Sequence, residues 1–214
     1  MQPNTKQELA TFLATNFHKL RLHKPLFYNA EFGLRFDLQH GETFTDAYFK
    51  ECIYRASTIY NTAFEPSDEV ILVVSRCKLP RRKIKSTNYV FQQINGFEKS
   101  NLAYTTIRNV YFHGADRNLA AIKARARDLN AENIFTAIAH TDYPLKVPQL
   151  ANNRYEDTEV YFINTSKHII LNMYDDCGLD IISPNKELLE RIYNKHKNWI
   201  LDYDKEKIAV QFAQ

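Results

Sequence analysis

Two short stretches and a scatter of histidines hold the residues that could do chemistry. The first stretch is YDDCGLDII, Tyr174 to Ile182, where Asp175, Asp176, Asp180 and Cys177 surround Gly178. A calcium loop of the EF-hand type needs acids at alternate positions before its glycine and a distant glutamate after it, and this spacing fails that test. A reactive thiolate needs positive neighbours or a helix N-terminus. Cys177 instead follows two aspartates, whose charge would raise its pKa. If Asp175 and Asp176 lay on a strand they would point to opposite faces and could not share a proton. The remaining reading is a turn, with Gly178 permissive for the backbone and the aspartates bonded to it. A partner-facing acidic patch and an acidic catalytic or metal site are the two functional alternatives.

The second stretch is RCKLPRRKIK, Arg76 to Lys85. It places Arg76, Lys78, Arg81, Arg82, Lys83 and Lys85 within ten residues. Such a run can neutralise phosphates, dock an acidic partner, or form a solvated loop after a strand. Tyr89 and Phe91 follow it and could stack on bases. Lys123, Arg125 and Arg127 add more charge, but on a helix residues two apart do not share a face. Seven histidines are scattered along the chain, and none forms a His-x-x-x-His pair. In HTD, His140 to Asp142, the aspartate could orient an imidazole. No residue emerges as catalytic or metal-ligating, and no cofactor is expected.

Composition excludes more than it proposes. The five glycines never fall close enough for G-x-G, so neither a Rossmann fingerprint nor a P-loop is present. H-E-x-x-H and G-x-S-x-G are absent as well. Net charge is +3 and pI about 8.6, below the range of a dedicated nucleic-acid binder. Cys52, Cys77 and Cys177 are odd in number and widely spaced, which suggests reduced thiols and a cytoplasmic location. Met1 to Leu20 lacks an apolar signal region, and no run reaches the ~18 apolar residues of a membrane span.

The elements that must position these residues are legible in part. TKQE at Thr5 to Glu8 is a capping-box pattern, followed by Leu9, Phe12, Leu13, Phe17 and Leu20 at helical spacing. GLRFDL, Gly33 to Leu38, reads as a strand. A helix is predicted from about Thr45 to Phe64, with Cys52 inside its apolar stripe. EVILVVS, Glu69 to Ser75, is an unalternating and therefore buried strand. A short helix is expected from about Thr87 to Gly96, a strand over Leu102 to Phe112, and helix in one or two pieces over Ala115 to Ala139, broken near Asn130. EVYFIN and HIILNMY read as a hairpin joined at TSK, with LDII as a third strand. Ser183 and Pro184 are placed at the start of the next helix, and Asp204 at the start of a last short one. The expected fold is α+β: a mostly antiparallel sheet with helices packed on one face, and a C-terminal three-stranded meander followed by a helix. Chain length favours a single domain over 1–214, with the region near 76–100 as the place where it could subdivide.

VYFINTSKHIILNMYDDCGLDII and IYNKHKNWILDYDKEKI together resemble an uncharacterised bacterial family, one of the domains of unknown function. PLFY, GLRFDL and YFKECIYRASTIYNTAF look like its N-terminal half. The specific parts are Tyr-Asp-Asp-x-Gly-x-Asp and Trp-Ile-Leu-Asp-Tyr-Asp. The family usually carries arginine where this chain has Cys177, which would imply a salt-bridged turn there. The resemblance brings no activity, cofactor or catalytic residue with it. Its toxin–immunity associations point to a cytoplasmic, non-enzymatic protein that binds another protein, in particular an immunity protein against a toxin domain. On that expectation the contact residues are Asp175, Asp176 and Asp180 together with the basic 76–85 run. Nucleic-acid association through the basic run, and an enzyme with an acidic site at 175–180, are the alternative readings. No membrane partner is expected.

Overall fold

The computed structural model describes residues 4–79, 83–108, 116–150 and 157–212. Seven strands form one sheet in the order β1-β7-β6-β5-β2-β4-β3, and every pairing is antiparallel. They are β1 (Gly33–Asp37), β2 (Glu69–Cys77), β3 (Ala103–Ile107), β4 (Arg117–Arg125), β5 (Thr158–Asn164), β6 (Ile169–Met173) and β7 (Gly178–Ile182). The helices are α1 (Thr5–Asn16), α2 (Asp46–Ala63), the single turn α3 (Tyr89–Gln92), α4 (Ala131–Ala139), α5 (Lys186–His196) and α6 (Lys205–Phe212). The α+β fold and the β5–β6–β7 meander leading into α5 agree with the sequence reading.

The long run of apolar residues in β2 reflects burial on both sides. Val70, Leu72 and Val74 join the larger core with α2 and α4. Ile71 and Val73 face the other way, towards Leu9, Phe12 and Leu13 of α1. Most helices thus pack on one face, as expected. The other face is closed by α1 and by Leu22 and Leu26 of the segment after it. α2 matches its predicted span closely: Thr45 accepts from the Tyr48 amide, and the stripe containing Cys52 is buried. Two other caps are shifted. Asn4, not Thr5, receives the Lys6 amide, and Asn185, not Ser183, caps α5.

The clear departure is residues 117–125, expected to be helical and found as β4 between β2 and β3. RNLAAIKAR is rich in alanine, so local propensity favours helix. Tertiary position decides otherwise. Leu119 and Ala121 fill one face and Ala120 and Ile122 the other, while Lys123 reaches Glu8 of α1 and Glu69 of β2, each at 3.2 Å. Helix resumes only at α4, capped by Asn130. The sheet's outer edge at β1 is covered by the chain after α5, where the Leu201 amide donates to the Arg35 carbonyl at 3.0 Å.

Phe162 of β5 sits where sheet and helices meet, with ring centroids 5.4 Å from Tyr60 and 5.2 Å from Phe135. Phe162→Ala is expected to cost about 3–5 kcal/mol in urea unfolding; a cost below ~1 kcal/mol would mean that this is not the centre of the core.

Candidate functional site

Three carboxylates of the two signature stretches, Asp176, Asp180 and Asp204, are turned inward, whereas Asp202 is exposed. Asp180 and Asp204 meet at Arg35 of β1. Its Nε lies 3.5 Å from Asp180 Oδ1 and donates to the Tyr174 hydroxyl at 3.2 Å. Its Nη1 lies 3.4 Å from Asp204 Oδ2 and donates to the Tyr28 hydroxyl at 3.0 Å. Tyr28 in turn donates to Asp204 at 2.8 Å, and both tyrosine rings lie beside the guanidinium at 5.2 and 5.5 Å. The other Asp180 oxygen accepts the Phe27 amide at 3.1 Å. Asp180 is therefore a fully buried structural carboxylate, not the exposed contact residue expected from sequence.

The rest of YDDCGLD serves the same end. Asp175 Oδ1 accepts the amides of Cys177 (2.8 Å) and Gly178 (3.2 Å), closing the turn. Gly178 begins β7, and its role is space: an added Cβ would overlap the Tyr174 hydroxyl and lie 2.5 Å from Tyr174 Cζ. Asp176 is also buried. It accepts from Tyr48 at 2.6 Å and Tyr143 at 2.9 Å. Burial pushes both phenols upward, and the bonds to Asp176 add to that. The Cys177 thiol is pushed up to about 12 by burial, with the charges of Asp175 and Asp176 adding, so it is a protonated thiol and not a nucleophile. One potential ligand atom from each of Asp175, Asp176 and Cys177 falls within 4.8 Å of the others. The carboxylates already hold the turn and the tyrosines, and the thiol is a poor ligand in its protonated form.

The basic run is divided in the same way. Arg76 is buried and donates to Thr158 Oγ1 at 3.2 Å. Lys78 pairs with Asp116 at 3.3 Å. Lys83 and Lys85 are exposed on either side of the buried Ile84. Arg81 and Arg82 lie outside the described residues. Phe91 is buried and stacked on Phe97, and Tyr89 packs on the core, so neither is placed to stack on a base. His140 is buried with Nδ1 3.2 Å from the Pro148 carbonyl; burial lowers its pKa, and Asp142 forms no bond to it. His196 stacks on Trp199 and meets Thr62 at 2.9 Å.

What the sequence did not single out is the surface above the acidic turn. The registers place the ends of β1, β2 and β6 and the starts of β5 and β7 at one end of the sheet. The loops before α2 and after α4 gather there as well. Leu145 and Val147, in the loop after α4, are 97% and 80% exposed, and Phe44, before α2, is 71% exposed. The loop is held from below. Gln149 Nε2 lies 2.8 Å from the carbonyls of His140, Tyr143 and Lys146. Lys146 bonds Asp46 at 2.5 Å. Phe44 rests edge-on against Tyr143 at 5.5 Å, and Tyr143 reaches Asp176. Phe44 also has φ of 71°, a left-handed conformation that is strained for an aromatic residue. The available signal was PLKVP, with two apolar residues between prolines where a loop should be polar.

A profile of a family described as a domain of unknown function (DUF3885) matches residues 9–204. The uncharacterized protein YnaE of Bacillus subtilis (strain 168) is 23% identical over 215 residues, spanning 91% of this chain and 98% of that protein. No solved structure matches the chain. No helix among the described residues is long and apolar enough to cross a membrane.

Burial places the Asp180 carboxyl at about 6, against an ordinary value of 3.8, with the Phe27 amide and Arg35 only partly opposing it. Between those values the folded chain holds a proton that the unfolded chain has released. Stability therefore falls as pH rises from about 4 to about 6 and levels off above. Asp180→Asn removes this contribution, worth up to ~3 kcal/mol. Urea unfolding as a function of pH should show a shallower decline in the variant; an identical profile would contradict the assignment.

Proposed function

The chain belongs to the DUF3885 family, and on that premise we propose that it is a non-enzymatic, cytoplasmic protein-binding protein whose contact surface is the Phe44–Leu145–Val147 end of the sheet. The observation that carries this reading is the pairing of exposure with rigidity. Leu145 and Val147 are almost fully solvated, yet their loop is tied down by Gln149 and by the Lys146–Asp46 pair. A loop that served only as a connection would present polar residues. An apolar surface that is already ordered avoids part of the ordering cost of association, and apolar anchors ringed by charge are the usual composition of energetically dominant contacts. The strained, solvated Phe44 is consistent with the same role.

The charges around these anchors favour a protein partner. Asp142 and Glu42 are exposed in the same loops, and Lys146 lies between Leu145 and Val147, so both signs are available to set orientation. An immunity protein that blocks a toxin domain is the specific form suggested by the family resemblance, since such a protein needs a complementary surface and no catalytic group. Asp175 and Asp176 support the surface from beneath.

The test is copurification from the native host, with protection assayed against the product of a neighbouring toxin-like gene. Leu145→Asp is expected to weaken the complex by about tenfold or more without lowering the melting temperature, because the side chain is solvated. Recovery of the chain alone, together with failure to protect, would overturn the reading.

A further inference from the structure

The two edges of the sheet are finished differently. At β1 the chain after α5 closes the edge, with Phe36 bridged to Ile200 and the Leu201 amide bonded to the Arg35 carbonyl. The other edge is β3, AYTTI, which pairs with β4 on one side. Among the described residues, no hydrogen bond reaches its outer side. An open edge is a template for another strand, and folded proteins usually guard one with lysine, proline or a bulge. AYTTI carries no charge and no proline, and its register with β4 runs without a bulge. Its tyrosine, threonines and isoleucine are strong strand formers.

The register shows which backbone groups are open. The Lys78 amide donates to the Asp116 carbonyl at 2.8 Å, one step beyond the Cys77–Arg117 pair. In an antiparallel ladder, opposed residues alternate between bonded and non-bonded pairs. Asn118 and Ala120 therefore turn their backbone groups to β2, and Arg117, Leu119 and Ala121 turn theirs to β3. The partners of those three, Ile107, Thr105 and Ala103, are bonded inward. The N–H and C=O of Tyr104 and of Thr106 are left facing outward. The next outward residue, Leu102, already donates its amide to the Lys99 carbonyl at 3.2 Å.

We propose that β3 pairs with β3 of a second copy of this chain, antiparallel about a two-fold axis at Thr105. This pairing joins the two sheets and commits all four open groups. Tyr104 of each copy lies opposite Thr106 of the other, and each such pair exchanges two hydrogen bonds. Donors meet acceptors, and no like charges are opposed, because the strand carries none. The same patch serves both copies, as a closed two-fold dimer requires. The side chains agree. Tyr104 is 50% exposed, and its ring gains Thr106 of the other copy as an aromatic–β-branched neighbour. Thr105 pairs with Leu119, which faces α1, so the two Thr105 side chains meet on the α1 side. A contact made by so short a strand is small, and the dimer is reversible.

The test is sedimentation velocity of the full chain at about 5 to 500 µM, where small interfaces form and dissociate. The sedimentation coefficient should rise from monomer towards dimer across this range. Thr106→Pro should weaken association about tenfold or more, since it removes an outward donor and no backbone bond to β4. Thr105→Lys and Thr105→Glu should each be monomeric, because like charges meet at the axis. An equimolar mixture of the two should dimerise again, a recovery that misfolding cannot produce. Leu145→Asp should dimerise like the unmodified chain, which separates this edge from the docking surface. A chain that stays monomeric throughout, even if an unrelated protein docks on β3, would overturn the proposal. So would a dimer indifferent to Thr106→Pro, or a charge-paired mixture that stays monomeric.

Discussion

Arg35 is the constraint on which the outer half of the sheet depends. Its guanidinium is mostly enclosed, with Asp180 of β7 on one side and Asp204, just before α6, on the other. A buried ion pair is a weak net source of stability, but removing one member leaves an uncompensated charge and is costly. That asymmetry makes the cluster a specificity device. It ties β1, β7, the turn at Tyr28 and the Asp202–Asp204 turn into one arrangement. The Leu201 amide, bonded to the Arg35 carbonyl, closes the sheet edge beside it. Tyr174 completes the shell, and Gly178 exists to let that ring approach.

This explains why YDDCGLDII looks like a site. Its acids are close together because each holds a different piece of the fold. Asp175 forms the turn, Asp176 holds Tyr48 and Tyr143, and Asp180 pairs with Arg35. The functional consequence is indirect. Through Tyr143, Asp176 helps to fix the loop that displays Leu145, and the proposed docking surface inherits its rigidity from the signature below it.

Elements whose local and tertiary preferences agree were legible in the sequence. The stripe of α2, the solid apolar run of β2 and the meander after Thr158 each state their own burial. β4 was not legible, because Ala120, Ala121 and Ala124 favour helix locally and become strand only through pairing with β2 and β3. The inward turn of the acids was also hidden. Nothing in YDDCGLDII announces that Arg35, some 140 positions earlier in the chain, is its partner. The raised pKa of the Cys177 thiol follows from its burial and from the two aspartates that precede it in the sequence. Asp176 and Asp180 are buried where the sequence predicts exposed acids, since exposure is set by distant residues. Leu145 and Val147 were passed over because a loop between prolines reads as a connection, and only the structure shows that it is braced. Arg117 was missed in the same way: it is fully buried, with Nε 2.7 Å from Ser75 Oγ.

The claim that the signature charges hold one another, and are not held ready for a ligand, can be measured by a double-mutant cycle. Arg35→Met, Asp180→Leu and the double variant would be compared with the unmodified chain by urea unfolding. Mutual support predicts that each single change is strongly destabilising, by about 3–5 kcal/mol, and that the double variant recovers part of the loss, with a coupling of roughly 1–3 kcal/mol. Additive effects, within about 0.5 kcal/mol, would mean that the two groups do not depend on each other, and would return the acidic cluster to consideration as a binding site.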